Sequence, residues 1–287
     1  MSRMSTYSIV GFDPAADELG IAVQSKFLAV GSAVPWVEAR VGAIATQSWA
    51  NTSYGPRGLD LLRNGASPHE VVSTLTADDE HADERQVGIV DAHGRSATYT
   101  GASCNEWAGG AHGINYAAQG NILAGPAVVD SMVTAFESTR GHLADRLIAA
   151  LRAGQAAGGD RRGMQSASLY IAKPAGGYAG FNDRYVDLRV DDHRNPIEEL
   201  ARILEIHKLY TFKPLPHEII KVDDKIGSEI AALLTQAGEL PKGAPFDDRA
   251  REKLVSFMHR ENLEDRVRDD GAIDIQTLEY LRAFCAR

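Results

Sequence analysis

The sequence has 287 residues, of which 44% are hydrophobic and 24% are charged, and its formal net charge is −9 at pH 7. This length suits one large domain, or one large and one small domain, and the composition is ordinary for a soluble globular protein. The net negative charge argues against a general nucleic-acid-binding or anionic-membrane surface.

Cysteine usage and the lack of a targeting segment predict a cytoplasmic protein. Cys104 and Cys285 lie far apart and form no disulfide scaffold, which is typical of a reducing compartment. The sequence has no apolar run of roughly 18 residues, and it lacks the basic and apolar regions of a signal peptide at its start. We therefore expect no nucleic-acid partner and no membrane partner.

The first predicted element is a β-hairpin at the start of the chain. Residues 6–12 and 19–26 both alternate between two faces, and Asp13 and Pro14 begin the turn between them. Thr6 opens the first strand, and Lys26 lies on the second. A hydroxyl residue opening a first strand, with a lysine nearby, is the chemical outline of an N-terminal nucleophile (Ntn) hydrolase. The alternative is a core hairpin whose hydroxyl and lysine residues are incidental, and the stretch alone leaves both open.

Polar residues follow the next predicted strand. The strand at residues 41–46 runs into a small-polar cluster at residues 47–53, which contains Gln47 and Asn51. Functional groups are often displayed on the loops that follow strands. This cluster is therefore a second candidate for part of a site.

The following segments predict a helix start, a hairpin and a loop. Residues 67–70 have the spacing of a capped helix start with proline in its first turn. Residues 86–90 and 96–100 predict a hairpin. A Gly-rich loop, residues 104–125, then carries Gln119 and Asn121.

The remaining order of elements indicates the fold class. Pro126 opens a pair of helices, strands are predicted at residues 165–171 and 185–190, and Pro196 lies at the start of a further helix. Strands in runs and helices in pairs do not follow the strict alternation of a parallel βαβ fold. We therefore predict an α+β fold over residues 5–209, a four-layer αββα sandwich of two antiparallel sheets covered by helix pairs.

The tail is predicted to be a separate small domain. Pro214 and Pro216 stop a helix and stiffen the chain, so residues 210–217 are predicted to be a linker. Residues 218–287 have the pattern of a small helical domain, with Asp274 capping its last helix.

Segments spread from Thr6 to Leu209 resemble a bacterial family, domain of unknown function 1028, which is similar to Ntn hydrolases. The tail resembles a peptidoglycan-binding-like domain that some members carry. The resemblance implies the αββα sandwich and leaves the substrate open. The segments that carry it are TYSIV at 6–10, SKFLAVG at 25–31, ATQ at 45–47, YGP at 54–56, GIVD at 88–91, QGNILAG at 119–125 and VDLRVDDH at 186–193.

The resemblance also implies roles for individual residues. In an Ntn enzyme the free α-amine of the first residue is the base for its own side chain. Thr6 would be that residue, and Lys26 would lower the pKa of the amine by like-charge repulsion. Donors to the oxyanion or to the substrate amide would come from Gln47, Asn51, Gln119 and Asn121.

Five residues precede Thr6 in the sequence. Removal of Met1 would expose Ser2, and a start at Met4 would expose Ser5, so neither event frees the α-amine of Thr6. Two functions therefore stay open. The first is an amidohydrolase acting on a small or peptide-like amide without a cofactor. The second is a catalytically silent sandwich that binds a ligand or partner, with the tail as a docking module.

Two further expectations concern metals and assembly. Asp191, Asp192 and His193 look like a metal cluster, but adjacent strand residues point to opposite faces. A capped, solvated helix start is predicted there instead, and no metal site.

Edge strands have to be covered, and aromatic residues such as Trp36 and Trp107 are enriched at interfaces. We predict a homodimer or higher homo-oligomer, with a monomer whose tail covers the edge as the alternative.

Overall fold

The start of the chain forms the centre of the fold. In the computed structural model, which describes residues 6–286, the two segments of the predicted hairpin pair in antiparallel register, from Thr6 opposite Ser25 to Asp13 opposite Glu18. Residues 6–12 are all buried, so both faces of the first strand are covered. A strand covered on both faces belongs inside a layered arrangement.

The structure contains mixed helices and strands. The strands are β1 Thr6–Asp13, β2 Glu18–Ser25, β3 Pro35–Glu38, β4 Gly42–Ser48, β5 Arg85–Asp91, β6 Ser96–Thr100, β7 Gly109–Gly113, β8 Tyr116–Asn121, β9 Ser166–Ala172, β10 Arg184–Val190, β11 Ile219–Lys221 and β12 Ala272–Asp274. The helices are α1 Tyr54–Arg63, α2 Pro68–Ala77, α3 Ala127–Ser138, α4 Leu143–Ala156, α5 Pro196–Thr211, α6 Asp224–Gln236, α7 Asp248–Arg260 and α8 Ile275–Cys285. Within residues 6–286, no helix has the length and apolar character needed to cross a bilayer.

The chain divides into two compact units between Ile203 and Leu204, inside helix α5. The first unit contains two antiparallel sheets, one of order β10-β9-β2-β1-β8-β7 and one of order β3-β4-β5-β6. Helices α3 and α4 contact the six-stranded sheet, and α1 and α2 contact the four-stranded sheet. The sheets contact each other through β1 with β4 and β5 with β8. The predicted α+β class with antiparallel sheets is confirmed.

Successive side chains of β1 point alternately toward helix α4 and toward the four-stranded sheet. Tyr7 faces α4, where its hydroxyl donates to Gln155 Oε1 at 3.1 Å. Val10 faces the opposite way and joins an apolar cluster between the sheets that includes Ile21 and Val90. Burial of each such side chain contributes about 1.5–3 kcal/mol, so the period-2 pattern fixes the register of the central strand.

Several local predictions are confirmed. Ser67 and Glu70 form the predicted capping box at the start of α2. Strands β5 and β6 form the predicted hairpin. The side chain of Asp274 accepts a hydrogen bond from Thr277 N and caps α8.

The predicted Gly-rich loop at residues 104–125 differs from the structure. It contains β7 and β8, which pair with each other, and β8 also pairs with β1. Glycines lower strand propensity when read locally, but small residues allow the close strand contacts found here. Gly110 is an example, since an added Cβ would lie 3.0 Å from Ala118 O.

The second unit has its own apolar core, built around Phe257, Leu234 and Leu281. It contains the short antiparallel pair β11 and β12 beside its helices, which the helical prediction for the tail did not include. Arg266 is 5% exposed and organises the polar part of this unit. Its Nη1 donates to Asp274 Oδ1 at 2.7 Å, and its Nη2 donates to Lys208 O at 2.7 Å.

A buried ion pair holds the loop after α2 against the start of β5. Asp79 and Arg85 have side chains that are each 8% exposed, and their Nε to Oδ2 distance is 2.8 Å. Asp79 Oδ2 also accepts hydrogen bonds from Asn51 Nδ2 at 2.9 Å and from Tyr54 Oη at 3.0 Å. Hydrogen bonding from the Arg85 guanidinium, together with these donors, holds the pKa of the Asp79 carboxyl well below its usual range.

Gly88 lets strands β5 and β8 approach across the interface between the sheets. A Cβ at this position would lie 2.0 Å from Gln119 Oε1. No side chain fits there unless Gln119 moves, because real Cβ atoms do not come this close to another heavy atom. The absence of a side chain at Gly88 therefore fixes where the Gln119 amide lies.

We predict that Gly88→Ala lowers the free energy of unfolding by about 1–3 kcal/mol, because the new methyl group overpacks a filled interface. Gly125→Ala is the matched control, since an added Cβ there meets nothing within 4 Å. Chemical denaturation of both variants measures the difference. Equal stability of the two variants would contradict the close approach at Gly88.

We predict that Asp79→Asn destabilises the chain by about 3 kcal/mol at pH 7, because it leaves Arg85 buried without its anion. The pKa of Asp79 is lower in the folded state, so its stabilisation is present above the unfolded value of about 4. That stabilisation is lost as the pH falls toward the folded value. The difference from the unsubstituted chain should therefore shrink on acidification.

Unfolding midpoints at pH 7 and pH 3 test this expectation. Asp78→Asn is the matched control, because the neighbouring Asp78 is exposed and pairs with Arg57 at the surface. We expect that variant to change stability by less than about 0.5 kcal/mol. A loss at Asp79 that is the same at both pH values would contradict the assigned role of its charge.

Candidate functional site

A buried polar cluster lies between the two sheets, at the end where β1 begins. Every member is at most 1% exposed, although polar side chains are normally found at the surface. We refer to it as the inter-sheet polar cluster. Its members are Thr6 and Ser8 on β1, Ser25 on β2, Gln47 on β4, Gln86 on β5, and Gln119 and Asn121 on β8.

Thr6 is held from three neighbouring strands. Its Oγ1 donates to Ser25 Oγ at 3.1 Å, and its carbonyl oxygen accepts from Gln47 Nε2 at 3.3 Å. Asn121 is its register partner on β8. The hydroxyl of Thr6 is therefore fixed at the first position of a central strand, among neutral polar groups.

Gln86 is the centre of the amide contacts. Its Oε1 accepts from Gln47 Nε2 at 2.8 Å and from Asn121 Nδ2 at 3.0 Å. Its Nε2 donates to Gly120 O at 2.8 Å and to Thr100 Oγ1 at 3.0 Å. Sequence reasoning did not select Gln86. A signal was present, because Gln86 begins the predicted strand at residues 86–90, whose other residues are apolar or glycine.

Ser8 joins two further amides. Gln119 Nε2 donates to Ser8 Oγ at 2.7 Å, and Ser8 Oγ donates to Gln47 Oε1 at 2.6 Å. Gln119 Oε1 is buried and has no hydrogen-bond partner among residues 6–286. An unsatisfied buried acceptor costs about 1–3 kcal/mol, so such atoms are rare and are often found at functional sites.

A buried carboxylate lies beside this end of β1. The side chain of Asp160 is fully buried, and its Oδ2 accepts from Lys26 N at 3.0 Å. Its Oδ1 accepts from Arg162 N at 2.8 Å. Burial and the nearby Asp160 charge raise the pKa of Tyr7 above its usual range. Tyr7 therefore stays protonated at neutral pH and remains a donor.

The structure brings together four of the six residues predicted for the site: Thr6, Gln47, Gln119 and Asn121. Lys26 is exposed, and its ammonium donates to Met164 O at 3.2 Å. Asn51 lies in the Asp79 cluster described above. The predicted lysine and one predicted amide are thus outside the inter-sheet polar cluster.

The chemistry that this cluster can perform follows from its groups. It contains hydroxyl oxygens that can act as nucleophiles once a base takes their proton, and amide N–H groups that can stabilise an anionic oxygen. Among residues 6–286, no group of three or more His, Cys, Asp or Glu side chains is arranged to hold a metal ion.

Comparisons with known proteins identify the first unit and the tail separately. The family model "Family of unknown function (DUF1028)" matches residues 6–200. The model "Putative peptidoglycan binding domain" matches residues 211–281. A search of curated proteins found no match.

A solved structure agrees with the first of these matches. The chain is similar to the crystal structure of a protein from Silicibacter pomeroyi that is described under the same family model. The two are 29% identical, with a TM-score of 0.66, and the match covers 72% of this chain and 91% of that one. With the family model covering well over half of its length, the chain belongs to the family of unknown function DUF1028.

Proposed function

We propose that the protein is an Ntn-type hydrolase that cleaves a small or peptide-like amide, with Thr6 as the nucleophile. The observation that carries the proposal is the position of Thr6. Its hydroxyl opens the central strand, is fully buried, and is held by Ser25 while its carbonyl is held by Gln47. A nucleophile fixed in this way loses little conformational freedom when it attacks.

The proposed reaction uses the α-amine of Thr6 as its base. Thr6 Oγ1 attacks the substrate carbonyl carbon, and its proton passes to the amine. The C–N bond of the tetrahedral intermediate then breaks, and the leaving amine takes that proton. Water hydrolyses the resulting ester, releasing the acid and restoring the Thr6 hydroxyl. No cofactor enters either step.

The α-amine is free only if the peptide bond before Thr6 is cut. Ser5, the first residue of the predicted domain, lies outside the described part of the chain, as do the four residues before it. We propose that this bond is cleaved by attack of Thr6 Oγ1 on the carbonyl of Ser5, followed by hydrolysis of the ester. The requirement makes chain maturation a direct readout of the mechanism.

The amides of the inter-sheet polar cluster have supporting roles in this proposal. Asn121, opposite Thr6, is the first candidate donor to the oxyanion, and Gln47 and Gln119 position the strand end. Lys26 follows Ser25 directly, but its ammonium is exposed and donates to Met164 O at 3.2 Å, so we assign it no part in the base step. We propose in addition that the protein acts as a homo-oligomer in the cytoplasm.

We predict that protein made without a tag is recovered as a chain beginning at Thr6, and that Thr6→Ala remains full length. Thr6→Ser keeps a hydroxyl and should still be processed. Intact-mass spectrometry distinguishes the two chains. Thr52→Ala, at an exposed threonine, is the control and should be processed normally.

Activity is measured on the same samples, with a library of small amides and detection of released amine. Thr6→Ala should lose at least about 1,000-fold in rate, in keeping with the loss of a covalent nucleophile. Hydrolysis that survives Thr6→Ala, or a full-length active wild-type chain, would show that Thr6 is not the nucleophile.

The second candidate function is ligand binding by a catalytically silent chain. Lys26 and Asn51 lie outside the inter-sheet polar cluster, which favours this alternative. The second unit also contains a cavity of about 370 Å³ whose lining includes Leu254, Met258 and Ile273. The Arg251 guanidinium lies 4.8 Å from the Phe246 ring centre at this cavity, which supplies a cation beside an apolar surface.

Co-sedimentation with purified peptidoglycan tests this candidate. We expect the full chain to sediment, and Arg251→Gln to weaken sedimentation at least fivefold, because it removes the cation at the cavity. Arg249→Gln, at an exposed position on the same helix, should sediment like the unsubstituted chain. If Arg251→Gln sediments with peptidoglycan as fully as Arg249→Gln does, this cavity is not the binding site.

A further inference from the structure

An open cavity of about 440 Å³ lies at one end of β2 and β9 in the first unit. This volume is within the usual range for small-molecule sites. The described residues that line it are Lys26, Met164, Gln165, Asp192, His193 and Arg194.

Strand pairing and two backbone hydrogen bonds connect this cavity to Thr6. Ser25 is the register partner of Thr6, and Gln165 N donates to Ser25 O at 3.0 Å. His193 N then donates to Gln165 O at 2.8 Å. Lys26, the residue after Ser25, lines the cavity. The cavity therefore lies at the same strand end as the Thr6 hydroxyl.

The lining offers several hydrogen-bond donors. Lys26 Nζ uses one N–H on Met164 O at 3.2 Å and has two others. The Arg194 guanidinium makes no hydrogen bond or ion pair with any residue between 6 and 286. His193 Nδ1 accepts from Asn195 N at 3.1 Å, so in the neutral ring the proton is on Nε2, which is a donor.

One acidic side chain limits the charge of the ligand. Asp192 also lines the cavity, and its Oδ1 accepts from Gln165 Nε2 at 3.1 Å. Lys26 and Arg194 thus contribute two positive charges against one negative charge. A net charge of about +1 suits a monoanion better than a dianionic phosphate, and the guanidinium fork matches a carboxylate.

We propose that this cavity binds a carboxylate on the substrate, so that the amide cleaved at Thr6 belongs to an N-acyl amino acid or to the C-terminal end of a short peptide. The inference rests on the proposed hydrolase function and names its substrate class. Lys26 and Arg194 bind the carboxylate, and His193 adds a donor. Lys26 acts here as a binding residue at the surface, which explains why its ammonium lies outside the inter-sheet polar cluster.

Binding is tested without turnover in the full-length Thr6→Ala chain. The probes are N-acetyl-L-alanine and N-acetyl-L-alaninamide, which share the amide bond and differ in the carboxylate. We expect the acid to bind at least tenfold more tightly than the carboxamide in an NMR titration. Lys26→Met and Arg194→Gln should each weaken binding of the acid at least fivefold and leave the carboxamide unchanged.

Arg140→Gln is the control, because Arg140 is an exposed arginine outside the cavity lining. Equal binding of the two probes, no binding of the acid up to tens of millimolar, or binding of the acid that is indifferent to both cavity substitutions overturns the proposal. Raised salt should weaken binding of the acid alone, since exposed charges are screened.

Turnover by the wild-type chain separates this proposal from the hydrolase proposal. If the acid binds through Lys26 and Arg194 but is not cleaved, the carboxylate site stands and the hydrolase function fails. If amides are cleaved with no preference for the acid, the hydrolase function stands and the carboxylate site fails.

Discussion

Burial of polar amides between two sheets is the constraint on which the first unit depends. Most buried amide groups need partners inside the protein, because water is not available to them, although Gln119 Oε1 and the Gln24 amide have none among residues 6–286. Gln86 meets this requirement for Gln47 and Asn121 at once, since its Oε1 accepts from both. Each partner lies on a different strand, so the hydrogen bonds fix the spacing of the sheets and the position of Thr6 between them.

The same constraint separates neutral groups from charged ones. The inter-sheet polar cluster consists of hydroxyls and carboxamides, which tolerate burial when they are hydrogen-bonded. An unpaired ammonium in that layer would cost far more, and the Lys26 side chain accordingly lies at the surface. Asp160 is a buried charge, and it is accepted because backbone N–H groups and the Arg162 guanidinium surround its oxygens.

The two compact units depend on different kinds of polar contact. The first unit shares neutral amides between strands and also buries the Asp79–Arg85 ion pair, whereas the second unit gathers its buried acceptors around one guanidinium. Arg266 donates to Asp274, to the carbonyl of Lys208 and to Gln276 Oε1, so one side chain satisfies several acceptors. Removing either centre would leave several buried groups without partners, which is why polar networks of this kind determine a single arrangement.

The local features of the fold follow from short-range patterns in the sequence. Period-2 alternation around Thr6 determined the first hairpin, and Ser67 with Glu70 determined a helix start, because these signals act over a few residues. The order of strands and helices was sufficient for the α+β class. Gln47 was selected as a site residue from its position after a predicted strand, and Gln119 and Asn121 from a predicted Gly-rich loop.

Which of these residues contact one another depends on pairing between strands that are distant in the sequence. Gln86 becomes the centre of the cluster because β4 pairs with β5 and β5 contacts β8. Local residue spacing does not encode these contacts between distant strands. The strands β7 and β8 were missed because glycine is a poor strand former by local propensity, while close packing across the sheets requires it. Lys26 and Asn51 were expected at the site. Burial disfavours the charge of Lys26 in that layer, and Asn51 is bound by the carboxylate of Asp79 instead.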